Sequence, residues 1–346
     1  MARVFVTGGT GFIGQRVVER LLRDGHDVVC SMRPRSFATR LEQKVRDLPG
    51  TLRFVVADVG IPDTLAAPIH DTDYVIHLAA MLKAPWDPQF MFVNADGTRN
   101  IFEHASEVKT PPTVIFVSSV AASGPAPIAG APRRESDPAV PVSRYGESKF
   151  RAEQAALVHA AKVPTTIIRP PAVFGPEDKT SFALFETAAK GLALVPTMAE
   201  PRMSMVHVDD LAWGIVAAME RGQRVAADPT SAPGQGIYFL AHRETPAMAE
   251  VGRWIGEGLG RKVRVLHVPR WLTLLGGAIA EAVARLRGRA SILNFDKARE
   301  ATAGSWTCAI DQAEHDLGFA PPTAMKERLA ETARWYQAEG WLPKRS

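Results

Sequence analysis

Two rhythms of apolar residues alternate through the first half of the chain. Short, nearly continuous apolar runs at 4–6, 28–32, 52–56, 74–78, 114–118 and 165–168 read as strands buried on both faces, the pattern of a parallel sheet. Between them, residues 11–23, 37–47, 90–105 and 145–161 carry apolar positions at helical spacing. In the first of these, Val17, Val18, Leu21 and Leu22 share one side, and Gly25 follows as a C-terminal stop. Strand and helix in regular alternation predict a doubly wound α/β parallel sheet, with a ligand crevice at the carboxyl ends of its strands.

After Ile168 the rhythm changes. Arg169-Pro170-Pro171 ends a strand, because proline cannot donate to a ladder. From about Gly175 the chain is mostly helical with short strands such as 263–267. The expected division is a sheet domain over 1–175, to which 205–222 and 236–242 return. A smaller, mostly helical C-terminal substrate lobe is expected from 176–204, 223–235 and 243–346. The segment 121–142, rich in Pro, Gly and Ala beside a strand end, reads as a functional loop.

Composition narrows the class without naming it. With 346 residues, 46% hydrophobic and 23% charged, the chain reads as an ordinary globular enzyme. Its formal charge of +4 is modest and its Lys and Arg are scattered, so no nucleic-acid partner is expected. Two cysteines, one inside a predicted core strand, make no disulfide framework; with no cleavable signal read at the start, a cytoplasmic location is expected. No run reaches the ~18 apolar residues of a membrane span. The nearest is 271–280, interrupted by Glu281 and followed by Arg285, Arg287 and Arg289. It reads either as an amphipathic helix packed on its own lobe, or as a segment between Trp271 and Arg289 making peripheral membrane contact or capping a greasy pocket.

Candidate chemistry begins at Thr7-Gly8-Gly9-Thr10-Gly11-Phe12-Ile13-Gly14, between the first strand and the first helix. Gly8 permits a tight turn, Gly11 lets the backbone approach a pyrophosphate, and Gly14 lets the helix pack closely. The helix start then offers free N–H groups and partial positive charge to an anion. A second pattern, Tyr145-Gly146-Glu147-Ser148-Lys149, puts Tyr145 and Lys149 one helical turn apart. A neighbouring ammonium lowers a tyrosine pKa from about 10, so Tyr145 could exchange a proton with a substrate oxygen. Ser118 and Ser119 end a predicted strand, where a hydroxyl can hold that oxygen.

These motifs together resemble the extended short-chain dehydrogenase/reductase family, the NAD-dependent epimerase/dehydratase type. The likeness runs from Arg3 to about Trp335. It includes Asp58-Val59, His77-Leu78-Ala79-Ala80, Asn94-x-x-Gly97-Thr98-x-Asn100, Arg169-Pro170-Pro171-x-Val173 and His207-Val208-Asp209-Asp210. The resemblance implies a Rossmann domain that binds NAD(P), and catalysis by Ser119, Tyr145 and Lys149, the serine lying five residues before Gly124. It implies that Gly8, Thr10, Gly11, Phe12 and Ile13 hold the pyrophosphate, that Asp58 and Val59 hold the adenine, and that Leu78, Ala79 and Ala80 lie near the ribose. Ser118, Pro170 and Val173 would line the nicotinamide and Asn94 would support the site. A homodimer paired through the helices at 90–105 and 145–161 is also implied.

The second strand ends Ser31-Met32-Arg33-Pro34-Arg35 without the acid that holds NAD ribose hydroxyls, and Arg33 could pair a 2′-phosphate. NADP(H) is therefore favoured over NAD(H). Sugar-nucleotide members usually carry an arginine four residues before the position of His207; here that residue is Met203. Trp254, Val265, Val268, Trp271, Leu272, Leu274 and Leu275 read either as a pocket for a bulky apolar alcohol or as the lobe's own core. The substrate expected is sterol-like, as in the 3β-hydroxysteroid and sterol-4-carboxylate dehydrogenase branch, where a carboxylate β to a new ketone would be lost easily. The alternatives are a nucleotide-sugar epimerase or reductase and, from another class, a non-catalytic NADP(H)-sensing regulator. A dehydratase fits poorly, since Val120 and Ala121 stand where its Asp-Glu pair would be.

Overall fold

The alternation of apolar runs is the observed element order. The computed structural model describes residues 1–32, 39–82, 88–127, 130–287 and 294–343. The chain runs β1 (Arg3–Thr7), α1 (Phe12–Arg23), β2 (Asp27–Met32), α2 (Thr39–Val45), β3 (Thr51–Val56), α3 (Ala66–His70), β4 (Tyr74–His77) and α4 (Pro88–Phe90). There follow α5 (Gly97–Glu107), β5 (Thr113–Val117), α6 (Val120–Ser123), α7 (Arg144–Val158), β6 (Thr165–Arg169), β7 (Ala172–Phe174), α8 (Phe182–Ala189) and β8 (Leu192–Val195). The remainder is β9 (Met205–His207), α9 (Val208–Arg221), β10 (Ile237–Phe239), α10 (Met248–Gly258), β11 (Arg264–His267), α11 (Arg270–Leu286), α12 (Phe295–Ala301), α13 (Asp311–Leu317) and α14 (Met325–Ala338).

Seven parallel strands form the central sheet in the order β10-β6-β5-β4-β1-β2-β3. β1 has β2 on one side and β4 on the other, so the winding reverses there and leaves a crevice at the strand ends. Successive residues of β1 serve opposite cores. Val4 and Val6 pack with Val17 and Leu21 of α1 and Leu211 and Ile215 of α9. Phe5 packs with Ile101 and Phe102 of α5 and Ala152 and Ala156 of α7. Each large apolar side chain removed from water this way contributes about 1.5–3 kcal/mol. β10 joins β6 through Ile237↔Ile167, whereas β9 pairs with β7 apart from the main sheet. A third core, with Phe185, Ile255, Leu329 and Tyr336, holds α8, α10 and α14 together.

One segment differs from expectation, and a second shows an arrangement that its pattern left open. The helix expected over 90–105 is interrupted by a π-helical turn at Met91–Asp96 with Asn94 buried inside it. The segment beginning at Trp271 does form a helix, but Trp271, Leu272, Leu275 and Ile279 are exposed rather than packed into the lobe. No described helix is long and apolar enough to cross a membrane.

Candidate active site

The glycine turn lies at the carboxyl end of β1. Gly8 has φ +72°, and a Cβ there would stand 2.8 Å from the Ala79 backbone nitrogen. A Cβ on Gly14 would stand 2.1 Å from Gly8 O, so the first turn of α1 rests directly on the loop. At Gly11, which is exposed, the nearest atom is Gly8 O at 3.2 Å and the outer side is open. Gly11 is the N-cap of α1 and no side chain caps that end. Thr10 gives its carbonyl to Gln15 Nε2 at 3.0 Å, and half-buried Phe12 and Ile13 begin the helix. Uncapped N–H groups behind an open glycine loop fit a pyrophosphate.

The other candidates sit at neighbouring strand ends. Asp58 follows β3; its Oδ1 accepts from Gly60 N at 2.9 Å, and Val59 O accepts from Asn100 Nδ2 at 2.8 Å. Leu78 N donates to Thr7 O, Ala79 N donates to Thr7 Oγ1 at 3.2 Å, and Ala80 is exposed. Ser118 is buried after β5, and its Oγ has no hydrogen-bond partner among the described residues. Pro170 O accepts from Val120 N, and Val173 lies half-buried in β7. Arg33 falls outside the described residues.

Ser119, Tyr145 and Lys149 meet at the end of β5. Ser119 N-caps α6 by accepting from Ala121 N at 3.1 Å, and its hydroxyl is close enough to Tyr145 to act against the rise of that phenol's pKa. Tyr145 is buried in the first turn of α7 beside Phe90 and Ala121, its ring edge-on to Phe90 at 6.3 Å. Lys149 Nζ donates to Val117 O at 2.9 Å and lies 4.5 Å above the Phe116 ring. The electrostatics correct the expectation for this pair. Burial raises the Tyr145 pKa, the Glu300 carboxylate adds to the rise, and the Ser119 hydroxyl opposes it. Burial lowers Lys149 to about 7, with Glu153 acting the other way. Lys149 thus surrenders much of its charge near neutrality, and Tyr145 keeps its proton.

A polar chain connects the glycine turn to this centre. The Thr7 hydroxyl donates to His77 Nδ1 (2.7 Å), His77 Nε2–H donates to Thr98 Oγ1 (3.0 Å), and Thr98 donates to Asn94 O (2.6 Å). The Thr98 bond to a carbonyl fixes that tautomer. Asn94 Nδ2 donates to Ser148 Oγ (2.9 Å), which donates to Tyr145 O (2.7 Å), while Asn94 also pairs both ways with the Met81 backbone. Burial, with Lys149 nearby, lowers His77 to about 3, so it is neutral.

Sequence reasoning missed α12. Asp296 accepts from Arg144 N (2.9 Å) and Tyr145 N (3.3 Å), capping α7 from about 150 residues away in sequence. Glu300 accepts from the Ser143 hydroxyl, and Lys297 Nζ stands 5.2 Å from the Tyr145 ring centre. Only the fold brings these residues to Tyr145; the local signal was Asn294, an N-cap before α12. Beside α12 a cleft of about 400 Å³ is lined by Phe90, Met91, Val142, Ser143, Arg144 and Arg299. The apolar residues expected to form a single pocket do not gather there: Trp254 packs in the lobe core and Trp271, Leu272 and Leu275 face outward.

The model of the NAD dependent epimerase/dehydratase family matches residues 4–229. A ceramide reductase of Caulobacter vibrioides is 31% identical over 99% of this chain and 96% of its own length. A UDP-glucose 4-epimerase of Vibrio cholerae is 27% identical over 96% and 94%, and a 3-beta-hydroxysteroid dehydrogenase of Mycolicibacterium neoaurum is 26% identical over 97% and 92%. Among solved structures, that of gox2253 superposes with a TM-score of 0.75 at 26% identity, covering 97% of this chain and 98% of the other.

Proposed function

The chain belongs to the NAD-dependent epimerase/dehydratase family and is an NAD(P)-dependent oxidoreductase of the short-chain type, and we propose that it reduces a ketone, or oxidises the matching secondary alcohol, on a bulky apolar lipid. The observation that carries the reaction is the Ser119–Tyr145 pair at the carboxyl end of β5, bounded by Phe90, Ala121 and Met81. Bound NAD(P)H supplies the hydride. In this reading Gly8, Gly11 and the first N–H groups of α1 hold the pyrophosphate, Asp58 and Val59 the adenine side, and Lys149 the nicotinamide ribose. Pro170, Val173 and Ser118, with its unpartnered Oγ, face the nicotinamide. Ser119 fixes the substrate oxygen, and Tyr145 gives its proton to the developing alkoxide. The same phenol takes the proton back when the alcohol is oxidised. Arg33 and the missing acid after β2 favour NADP(H).

A lipid is favoured over a sugar nucleotide by Met203. It stands where an arginine would meet a diphosphate, and it packs against the lobe core. Similarity to a ceramide reductase and a 3-beta-hydroxysteroid dehydrogenase supports the same choice; similarity to a UDP-glucose 4-epimerase supports the competing one. Pairing of two copies through α5 and α7, and contact of the Trp271–Arg289 region with a membrane, belong to this proposal. Nicotinamide absorbance with long-chain keto lipids, keto sterols and UDP-sugars tests it: oxidation of NADPH driven by an apolar ketone supports the reading, and turnover of UDP-sugars alone overturns it.

A further inference from the structure

α11 is mounted with its large apolar side chains outward. Trp271, Leu272, Leu275, Ile279, Val283 and Leu286 recur at helical spacing and are 39–89% exposed. Ala278 and Ala282, also exposed, fill the same surface. The side turned inward is small: Gly277 is buried, and a Cβ there would stand 2.7 Å from Ala298 Cβ of α12. A helix on a water-facing surface is built the other way round. The acid on α11, Glu281, is half-buried and accepts from Phe295 N at 3.1 Å, so none of the exposed face is acidic.

Several exposed residues on α11 and on the strands it is tied to are cationic or apolar. Arg270 and Arg287 are exposed at the two ends of α11, and Lys262 and Arg264 are exposed at the start of β11; none of the four is ion-paired among the described residues. Leu266 and Leu194, register partners in β11 and β8, are also exposed. Thr273 Oγ1 ties α11 to that pair of strands by donating to Pro196 O at 3.2 Å.

We propose that α11 seats the protein on an anionic lipid bilayer, lying in the interface with its apolar face among the acyl chains and its arginines among the headgroups. An apolar face bordered by unpaired cations matches an anionic membrane surface in both properties. α12, packed under α11, stands over Tyr145, so seating α11 brings the bilayer to the side of the candidate site. The purpose of docking rests on the lipid-substrate reading; docking itself is measured independently of it.

The test is cosedimentation of the full chain with phosphatidylcholine vesicles, with and without phosphatidylglycerol, beside the variant Ile279→Glu/Val283→Glu. Binding is expected to be about tenfold stronger on the anionic vesicles, to weaken with salt, and to fall more than about tenfold in the variant. Both positions are exposed, so NADPH binding, melting temperature and turnover of a short, water-soluble ketone should be unchanged. Equal vesicle binding by wild type and variant would overturn the proposal. So would a variant that dissociates an assembly of copies while neither form binds vesicles, since α11 would then be a contact between chains. Vesicle binding that survives the failure of every apolar ketone as substrate would sustain docking and sink only the substrate reading.

Discussion

At the scale of single residues, the site is organised to keep buried bases neutral and one phenol protonated. The proposed roles predict that Tyr145→Phe lowers turnover by about 10²–10⁴-fold while NADPH fluorescence titration is unchanged. Unaltered turnover would remove Tyr145 from the chemistry. His77 gives a pH signature. In the fold it stays neutral down to about 3, whereas the unfolded chain takes up the proton near 6.5. The unfolded state therefore binds more protons between these values, and His77 removes stability as pH falls from 6.5 towards 3. Lys149, lowered from 10.5 to about 7, acts with the same sign, so its contribution to stability rises from pH 7 towards 10.5. Urea midpoints measured from neutrality to pH 4 should fall more steeply for wild type than for His77→Gln, whose amide cannot titrate. Parallel slopes would count against the buried neutral histidine.

At the scale of elements, much of the cofactor side was legible because its signals are local. Gly8, Gly11 and Gly14 are spaced by the requirements of one turn, and the structure shows the crowding behind two of them and the open side of the third. Tyr145 and Lys149 are four apart on α7, and the apolar runs mark the strands that end beside them. What was hidden depends on contacts across the fold. Asp296 reaches α7 from about 150 residues further along the chain, and Asn94 is buried within a π-helical turn. The fate of α11 was also hidden, since periodicity shows that one side is apolar and not which way it faces. Asp296→Ala should cost about 0.5–2 kcal/mol of stability, as for other lost caps. It should also lower turnover, because two N–H groups at Tyr145 lose their acceptor; NADPH affinity should be unchanged. A melting temperature and turnover both equal to wild type would show that α12 is not a support for Tyr145.

At the scale of the whole molecule, the seven-stranded sheet sets the crevice at which the candidate residues gather. One side of the crevice is the glycine turn and the ends of β3 and β4; the other is the end of β5 with α7 and α12 beside it. In the proposed reading Met203 leaves no cation at that position for a diphosphate, and Tyr145, whose pKa burial raises, gives its proton to a carbonyl oxygen. The central claim is thus reduction of an apolar ketone. Its most direct test follows NADPH absorbance as the purified chain meets a long-chain keto lipid, with UDP-sugars and the Tyr145→Phe variant in parallel. NADPH oxidation by the keto lipid, lost in the variant and absent with UDP-sugars, is the predicted result. Conversion of a UDP-sugar with no response to any keto lipid would contradict it.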